Sequence, residues 1–353
     1  MEFGLSEEQL LLQDTIMQFL AEEFPLEKVR KISSGKYSDA MVWEGLTKLG
    51  IPGLLIPETQ GGVGLGYLEA AIISECLGYN VTPTPFLTSS VMAVTVLKAA
   101  GNQELLLSQI AIGDQRVGIA FNEALGARAD AGLTVANGVI NGKSIFALDG
   151  NADHYLVADA TFNLYLVSTQ VLKRTKLATV DRTQSTCELV YKDSEAILIS
   201  NDEKIFKEAI NAGRVMQAAD TLGAAQSMLE QSVAYSMQRE QFNRVIASFQ
   251  AVKHMCADMV ANLEPCRAMV WYSGHALDAL PDEKHLVACH TKAHLQEVGQ
   301  LVSKQSTEIH GGMGFTDLLG LHYWFKRIGA NRQLLGSPEM LREEAAKIQG
   351  FIA

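Results

Sequence analysis

The sequence predicts a multidomain protein of α and β type, in which a helical N-terminal domain, a small β-barrel or sandwich and a C-terminal four-helix bundle follow in order. Three observations predict it. Apolar residues recur at helical spacing through the first third, short β-prone runs separated by turn dipeptides begin near Val117, and long Ala-rich helical stretches return after Asn201. The change points set the expected domains at residues 1–115, 116–200 and 201–353.

The first helix is announced by Ser6 with Gln9 three residues on, a capping-box pair, after which Leu10, Leu11, Ile16, Phe19 and Leu20 recur at helical spacing. The stretch GIPGLLIPETQGGVGLG, with Pro52, Pro57 and glycines 61, 62, 64 and 66, forbids continuous helix and implies a shaped loop. Helical patterns near 67–79 and 85–100 complete this third. The middle reads as strands at GIAF, LTVANGVINGKSIFAL, HYLVADA, FNLYLVST, LATVD and CELVYK, with Asn137-Gly138 and Asn141-Gly142 as turns. The last third carries helical stretches around 212–237, 249–278, 283–310 and 337–352. Trp324, Phe325, Lys326 and Arg327 add a short helix with an apolar face and a basic one. No repeat or low-complexity linker separates the parts, so they are expected to pack tightly.

Composition bounds the function. Of 353 residues 48% are hydrophobic, enough for a large core, and 40 acidic against 29 basic residues give a net charge of −11, with no basic cluster to track phosphates. Nucleic acid is excluded as a partner on that ground. Cys76, Cys187, Cys256, Cys266 and Cys289 are odd in number and show no paired metal-ligand spacing, so they read as reduced thiols in a cytoplasmic protein, and no metal is expected. Glu2, Glu7 and Glu8 stand where a secretory signal needs basic and then apolar residues, and no apolar run reaches membrane-spanning length.

Two segments carry chemistry. In YSMQREQFNRVIASFQAVKHMCADM, residues 235–259, Arg239 lies between a helical pattern and a turn at Asn243, with Phe242, Ile246 and Phe249 as apolar anchors. A fixed guanidinium there suits a phosphate or carboxylate, because its planar fork donates two hydrogen bonds; the alternative is a helix-end arginine capping carbonyls. In TEIHGGMGFTD, residues 307–317, glycines closing a helix let a backbone or flat ligand approach closely; the alternative is a simple C-cap and turn.

At these two segments the chain resembles the acyl-CoA dehydrogenase family, where a fixed arginine, a Gln-Phe-Gly turn, a Phe-Gln-Ala and a His-Gly-Gly-x-Gly recur in this order. The resemblance extends to LSEEQLLLQDTI, the LGIPGLLIPETQGGVGLG loop and the NGKSIFALDGNADHYLVAD hairpin, and so over nearly the whole chain. It implies a tetramer binding FAD at a subunit interface and oxidising an acyl-CoA thioester across its α and β carbons, with an electron-transfer flavoprotein as acceptor. It also implies that Arg239, Gln241, Phe242, Gln250, Glu308, Gly311 and Gly312 reach the adenine and pyrophosphate of the FAD held mainly by a neighbouring subunit. Asn243 replaces the usual glycine, a mild change because Asn tolerates the left-handed conformation, and Glu308 replaces a common glutamine.

Elsewhere the family pattern fails. The own-subunit flavin contacts usually lie in a Thr-Glu-Pro-x-Ala-Gly-Ser-Asp run and an aromatic-Ile-Ser/Thr-Asn-Gly hairpin, which here read FNEALGARAD, residues 121–130, and FALDG, residues 146–150. Asn122 remains as a donor to a flavin carbonyl; the serine expected near Arg128 and Ala129 is missing, and Ala147 and Leu148 replace hydroxyl-bearing positions. The base expected in a Tyr-Glu-Gly-Thr run falls in LLGSPE, where Leu335 holds its place, and the alternative location before Arg214 holds Gly213. Asp220, seven residues on and on about the same helix face, is the remaining carboxylate. It is a raised-pKa base or a structural acceptor, and its short side chain and different depth favour the acceptor. His310 belongs to the shared turn, and His154 and His322 read as ordinary packing or surface residues.

This asymmetric loss resembles the short subunit of heterotetrameric acyl-CoA dehydrogenases of the steroid side-chain type. The expectation is a subunit that completes the FAD site of a paralogous partner in an α2β2 assembly, the partner supplying the base. The alternatives are an active homotetramer using Asp220 and a non-catalytic CoA-binding scaffold.

Overall fold

The computed structural model describes residues 4–121 and 132–352. They form two compact units. One comprises the residues up to Ser34, Ala71–Thr82 and the chain from Val215 on; the other comprises Gly35–Ala70 and Pro83–Arg214.

The expected order of helices, strands and helices is present. The first third forms α1 (Glu7–Glu23), α2 (Leu26–Ser33), α3 (Ala40–Lys48), α4 (Tyr67–Tyr79), a π-helical segment Phe86–Ala93, α5 (Val94–Ala100) and α6 (Glu104–Ala111). The capping box is made as read, Gln9 N donating to Ser6 Oγ at 3.2 Å and Ser6 N to Gln9 Oε1 at 2.9 Å. Ile16 and Leu20 are buried, whereas Leu10 and Leu11 face outward, so the apolar stripe of α1 is narrower than its spacing suggests. In the shaped loop, a β-carbon on Gly62 would stand 2.1 Å from Ile56 O, which only glycine avoids.

In the second unit eight strands hydrogen-bond in the order β6-β7-β3-β1-β4-β5-β8, with β2 on β3. They are β1 (Val117–Ala120), β2 (Leu133–Ala136), β3 (Val139–Leu148), β4 (His154–Ala158), β5 (Leu164–Ser168), β6 (Leu172–Lys176), β7 (Thr186–Glu195) and β8 (Ile197–Ser200). The β1–β4 pair is parallel and the rest are antiparallel. Tyr155, Val157, Val167, Leu189 and Tyr191 lie in the buried cluster beneath the sheet. Asn137-Gly138 is the β2–β3 turn, both residues at positive φ. Asn141-Gly142 is not a turn. It lies inside β3 at a register shift, where a β-carbon on Gly142 would sit 2.0 Å from Gly132 O. Likewise LATVD is not a strand; the edge strand is the preceding LKRTK, whose exposed charged residues hide the β pattern.

From Glu203 on, the chain forms α7 (Glu203–Gln238), α8 (Gln250–Ala279), α9 (Lys284–His310), α10 (His322–Gln333) and α11 (Pro338–Ile348). Among the described residues this makes five α-helices, with α10 joining the four expected long stretches. In the first unit α4 and α7 cross at glycines: a β-carbon on Gly223 would meet Glu75 O at 1.9 Å, and one on Gly78 would meet Asp220 O at 2.0 Å. The supposed basic face of α10 is corrected, because Arg327 is 2% exposed and points inward with Trp324. Its Nη2 donates to Thr82 O at 2.8 Å, and Trp324 Nε1 donates to Tyr79 O at 2.8 Å.

Candidate functional site

Helix α7 stops at Arg239. Arg239 N still donates to Tyr235 O at 2.8 Å, but Arg239 O accepts from Ile246 N at 2.8 Å, turning the chain into the hairpin β9 (Glu240–Gln241) and β10 (Arg244–Val245). The turn residues Phe242 and Asn243 have φ of 55° and 61°, the pairing a tight two-residue hairpin requires. Asn243 thus takes the left-handed role expected of it. Phe242, by contrast, is a bulky residue in that region and is 86% exposed, so it is no buried anchor. The cation over Phe249 is Arg244, 3.9 Å from the ring centre. Arg239 is exposed, as is Gln241, whose Nε2 donates to Glu240 O at 2.7 Å. Gln250 opens α8 and pairs with His254 Nε2 at 2.9 Å.

The glycine turn lies beside this hairpin's helix. Ser232 Oγ donates to Ser306 Oγ at 2.7 Å, Ser306 Oγ to Met228 O at 3.0 Å, and the rings of Tyr235 and His310 stack with centres 4.5 Å apart. Contacts that advance together along α7 and α9 mean that the two helices run parallel there. Arg239 and the Gly311-Gly312 turn therefore leave the same end of this unit. His310 Nδ1 donates to Ser306 O at 2.8 Å, and burial holds the ring below the ordinary histidine pKa, so His310 is a neutral packing group. Gly311, at φ 58° and ψ −139°, is in a conformation that side chains avoid. Among the described residues no atom would meet a β-carbon on Gly311 or Gly312 within 4 Å, and Glu308 on the last turn of α9 is exposed.

The acid–base positions present a different picture. Leu335 is buried, 2% exposed, at φ 59°, followed by Gly336 at φ 113°: the side chain on this tight turn carries no proton acceptor. Gly213 is buried within α7. Asp220 Oδ1 accepts from Asn331 Nδ2 at 2.7 Å and lies 3.2 Å from Arg327 Nε, with its side chain 14% exposed. Charge-assisted contacts of this kind hold a carboxylate as an acceptor. Beside it Lys292, fully buried, donates to Gln217 Oε1 and, at 2.9 Å, to Asn331 O.

In the second unit the FALDG segment is not the turn of a hairpin, because β1 lies between β3 and β4 in the sheet, and ion pairing fixes it. Arg116 Nη2 reaches Asp149 Oδ1 at 2.7 Å and Asp39 Oδ2 at 3.0 Å, while its Nε donates to Asp149 Oδ2 at 3.1 Å. Burial pushes the Asp149 carboxyl above its usual range, against the pull of Arg116. Phe146 and Asp149 both have positive φ, and Ala147 and Leu148 are buried. Asn122, Arg128 and Ala129 lie outside the described residues.

One grouping escaped the sequence reading. His285, Cys289 and Glu344 each bring a metal-ligating atom within 4.8 Å of the others. The His285–Cys289 spacing of four was the local sign of a shared helix face; Glu344 is far off in sequence and reaches them only through α11.

The helical, sheet and helical order, with a guanidinium and a glycine turn at one helix end, is the arrangement that the resemblance to acyl-CoA dehydrogenases implies. Family comparison then matches residues 6–106 to the acyl-CoA dehydrogenase N-terminal domain and residues 204–349 to its C-terminal domain. The chain belongs to the acyl-CoA dehydrogenase family, oxidoreductases acting on acyl-CoA. Acyl-CoA dehydrogenase IpdE2 of Mycolicibacterium smegmatis is 28% identical over 347 residues, covering 98% of this chain and 100% of the relative. The ChsE4-ChsE5 complex from Mycobacterium tuberculosis matches the fold with a TM-score of 0.89 at 22% identity, over 100% of both chains. Butyryl-CoA dehydrogenase from Megasphaera elsdenii does so with a TM-score of 0.88 at 20% identity, over 99% of this chain and 100% of that one. No described helix is long and apolar enough to cross a membrane.

Proposed function

We propose that this chain is the short subunit of a heteromeric acyl-CoA dehydrogenase, in which it completes the FAD site of a paralogous catalytic subunit. The carrying observation is the contrast between two ends of the chemistry. Arg239, Gln241, Phe242, Gln250, Glu308 and the open Gly311-Gly312 turn are exposed at one end of a unit, offered outward. The positions of the base hold buried Leu335 and Gly213, and Asp220 is engaged with Asn331 and Arg327.

The outward group fits the adenine and pyrophosphate end of FAD: an arginine fork for phosphate oxygens, and glycines whose backbone a phosphate or ring can approach without meeting a β-carbon. The flavin end is not matched in the same way, because Ala147 and Leu148 present no hydroxyl. FAD, when bound, accepts the hydride that leaves the β carbon of the acyl-CoA. This chain's residues bind and orient that cofactor, and the α-proton is taken by a carboxylate of the partner. Electrons pass to an electron-transfer flavoprotein. A reducing cytoplasm suits a chain in which none of the five cysteines forms a disulfide.

Purification of the chain alone and together with its co-encoded paralogue tests the reading. The pair is expected to carry FAD and reduce dye with acyl-CoA, and the lone chain to do neither. A lone homomer with full flavin and full turnover overturns it.

A further inference from the structure

We propose that His285, Cys289 and Glu344 form a binding site for a divalent first-row transition metal of the zinc type, which clamps the last helix, α11, onto α9. The site lies within one unit of the chain and uses none of the residues named for the flavin. His285 and Cys289 stand four residues apart on α9, on one helix face, and Glu344 faces them from α11. His285 Nε2 and Glu344 Oε1 are 2.9 Å apart with both side chains under a third exposed, so two donors sit at the rim. Cys289 lies beneath them, fully buried among Ala293, Leu341 and Ala345, with Leu286 packed against the cluster.

The donor set selects the ion. One imidazole nitrogen, one thiolate and one carboxylate oxygen suit a borderline ion such as Zn(II), whereas calcium and magnesium take oxygen ligands alone. The distances need little change. Ligand atoms in a tetrahedral zinc site stand about 3.3 to 3.8 Å apart, from bond lengths of about 2.0 to 2.3 Å. The three atoms here are already within 4.8 Å of one another, so the His285–Glu344 pair at 2.9 Å opens slightly and Cys289 adjusts by side-chain shifts of roughly an ångström, within reach of rotamer adjustment on two packed helices. Binding forms a zinc–sulfur, a zinc–nitrogen and a zinc–oxygen bond. The thiol proton of Cys289 leaves to solvent, His285 binds through a neutral ring nitrogen, and the fourth position remains for water.

A bland account exists for the same atoms: His285 and Glu344 as an ordinary rim pair, and Cys289 as a small packing residue. It predicts no metal affinity, which separates the two. The experiment is titration of the purified full-length chain with Zn(II) against a chromophoric chelator, with bound metal counted and thermal unfolding followed. One Zn(II) per chain is expected, with a melting temperature raised by several degrees. Cys289→Ala is expected to weaken binding at least a hundredfold and His285→Gln at least tenfold, each abolishing the rise in melting temperature. Because His285 is at the rim, His285→Gln keeps the test decisive if Cys289→Ala disturbs packing. No stoichiometric uptake, or uptake unchanged in both variants, overturns the proposal.

Discussion

Asp220 shows how one side chain's neighbours decide its chemistry. It lies on the helix that offers the alternative position for a base, yet Asn331 and Arg327 converge on it, and Arg327 is itself buried. Asp220→Asn is therefore expected to cost stability of about 2 kcal/mol, the scale of a hydrogen bond to a charged group, while leaving turnover per folded heteromer unchanged. Dye reduction and thermal melting check both halves; lost turnover with unchanged flavin and melting would make Asp220 the base. Phe242 offers a prediction of opposite sign in two assays. Its left-handed backbone costs roughly 1 kcal/mol that glycine does not pay, and its ring is largely in solvent. Phe242→Gly should thus hold or raise the melting temperature of the chain alone, yet loosen assembly with the partner, read by analytical ultracentrifugation.

At the scale of elements, α4 and α7 approach closely enough that Gly78 and Gly223 each face the other helix's backbone at a distance no β-carbon tolerates. Gly223→Ala should destabilise by about 3 kcal/mol, the upper range for overpacking, measured as a lowered denaturation midpoint. Long helices were legible in the sequence because their apolar periodicity and Ala-rich composition agree. The two motif segments were legible because turn chemistry is local: Asn243 and the Gly311-Gly312 pair announce backbone conformations that the structure adopts. What failed was non-local. The strand LKRTK has no apolar alternation and is a strand only because β7 pairs with it. Asn141-Gly142 looks like a turn until β7 continues past it as a ladder with a bulge. Arg327 reads as a surface cation until Asp220 and Thr82 receive it inside. Cys289 gave no sign of its grouping with His285 and Glu344, because Glu344 arrives from another helix.

For the whole molecule, buried titrating groups set the acid response. Burial holds His310 and His154 below the ordinary histidine value, so near pH 6 the unfolded chain binds more protons at these positions than the folded one. Stability then rises with pH in that window and is lost as pH falls below about 6.5, by up to about 1.4 kcal/mol per pH unit for each histidine. Glu75 and Asp149, raised by burial, act in the opposite sense, favouring the folded state in acid and losing that contribution as pH rises through their folded values. Comparing the pH dependence of denaturation with that of His310→Asn isolates the histidine: the variant should lose less stability between pH 7 and 5.5, and an unchanged slope would contradict the assignment.

The central claim is that this chain lends half of a flavin site to a neighbour. Its most direct test is Arg239→Ala made in this chain alone, within the complex it forms with its paralogous partner, with FAD retention measured by absorbance after gel filtration. The account predicts an assembled complex whose FAD affinity falls about tenfold or more, the scale of losing a charge-assisted contact. An assembled complex that keeps its flavin and its acyl-CoA turnover in full would contradict it.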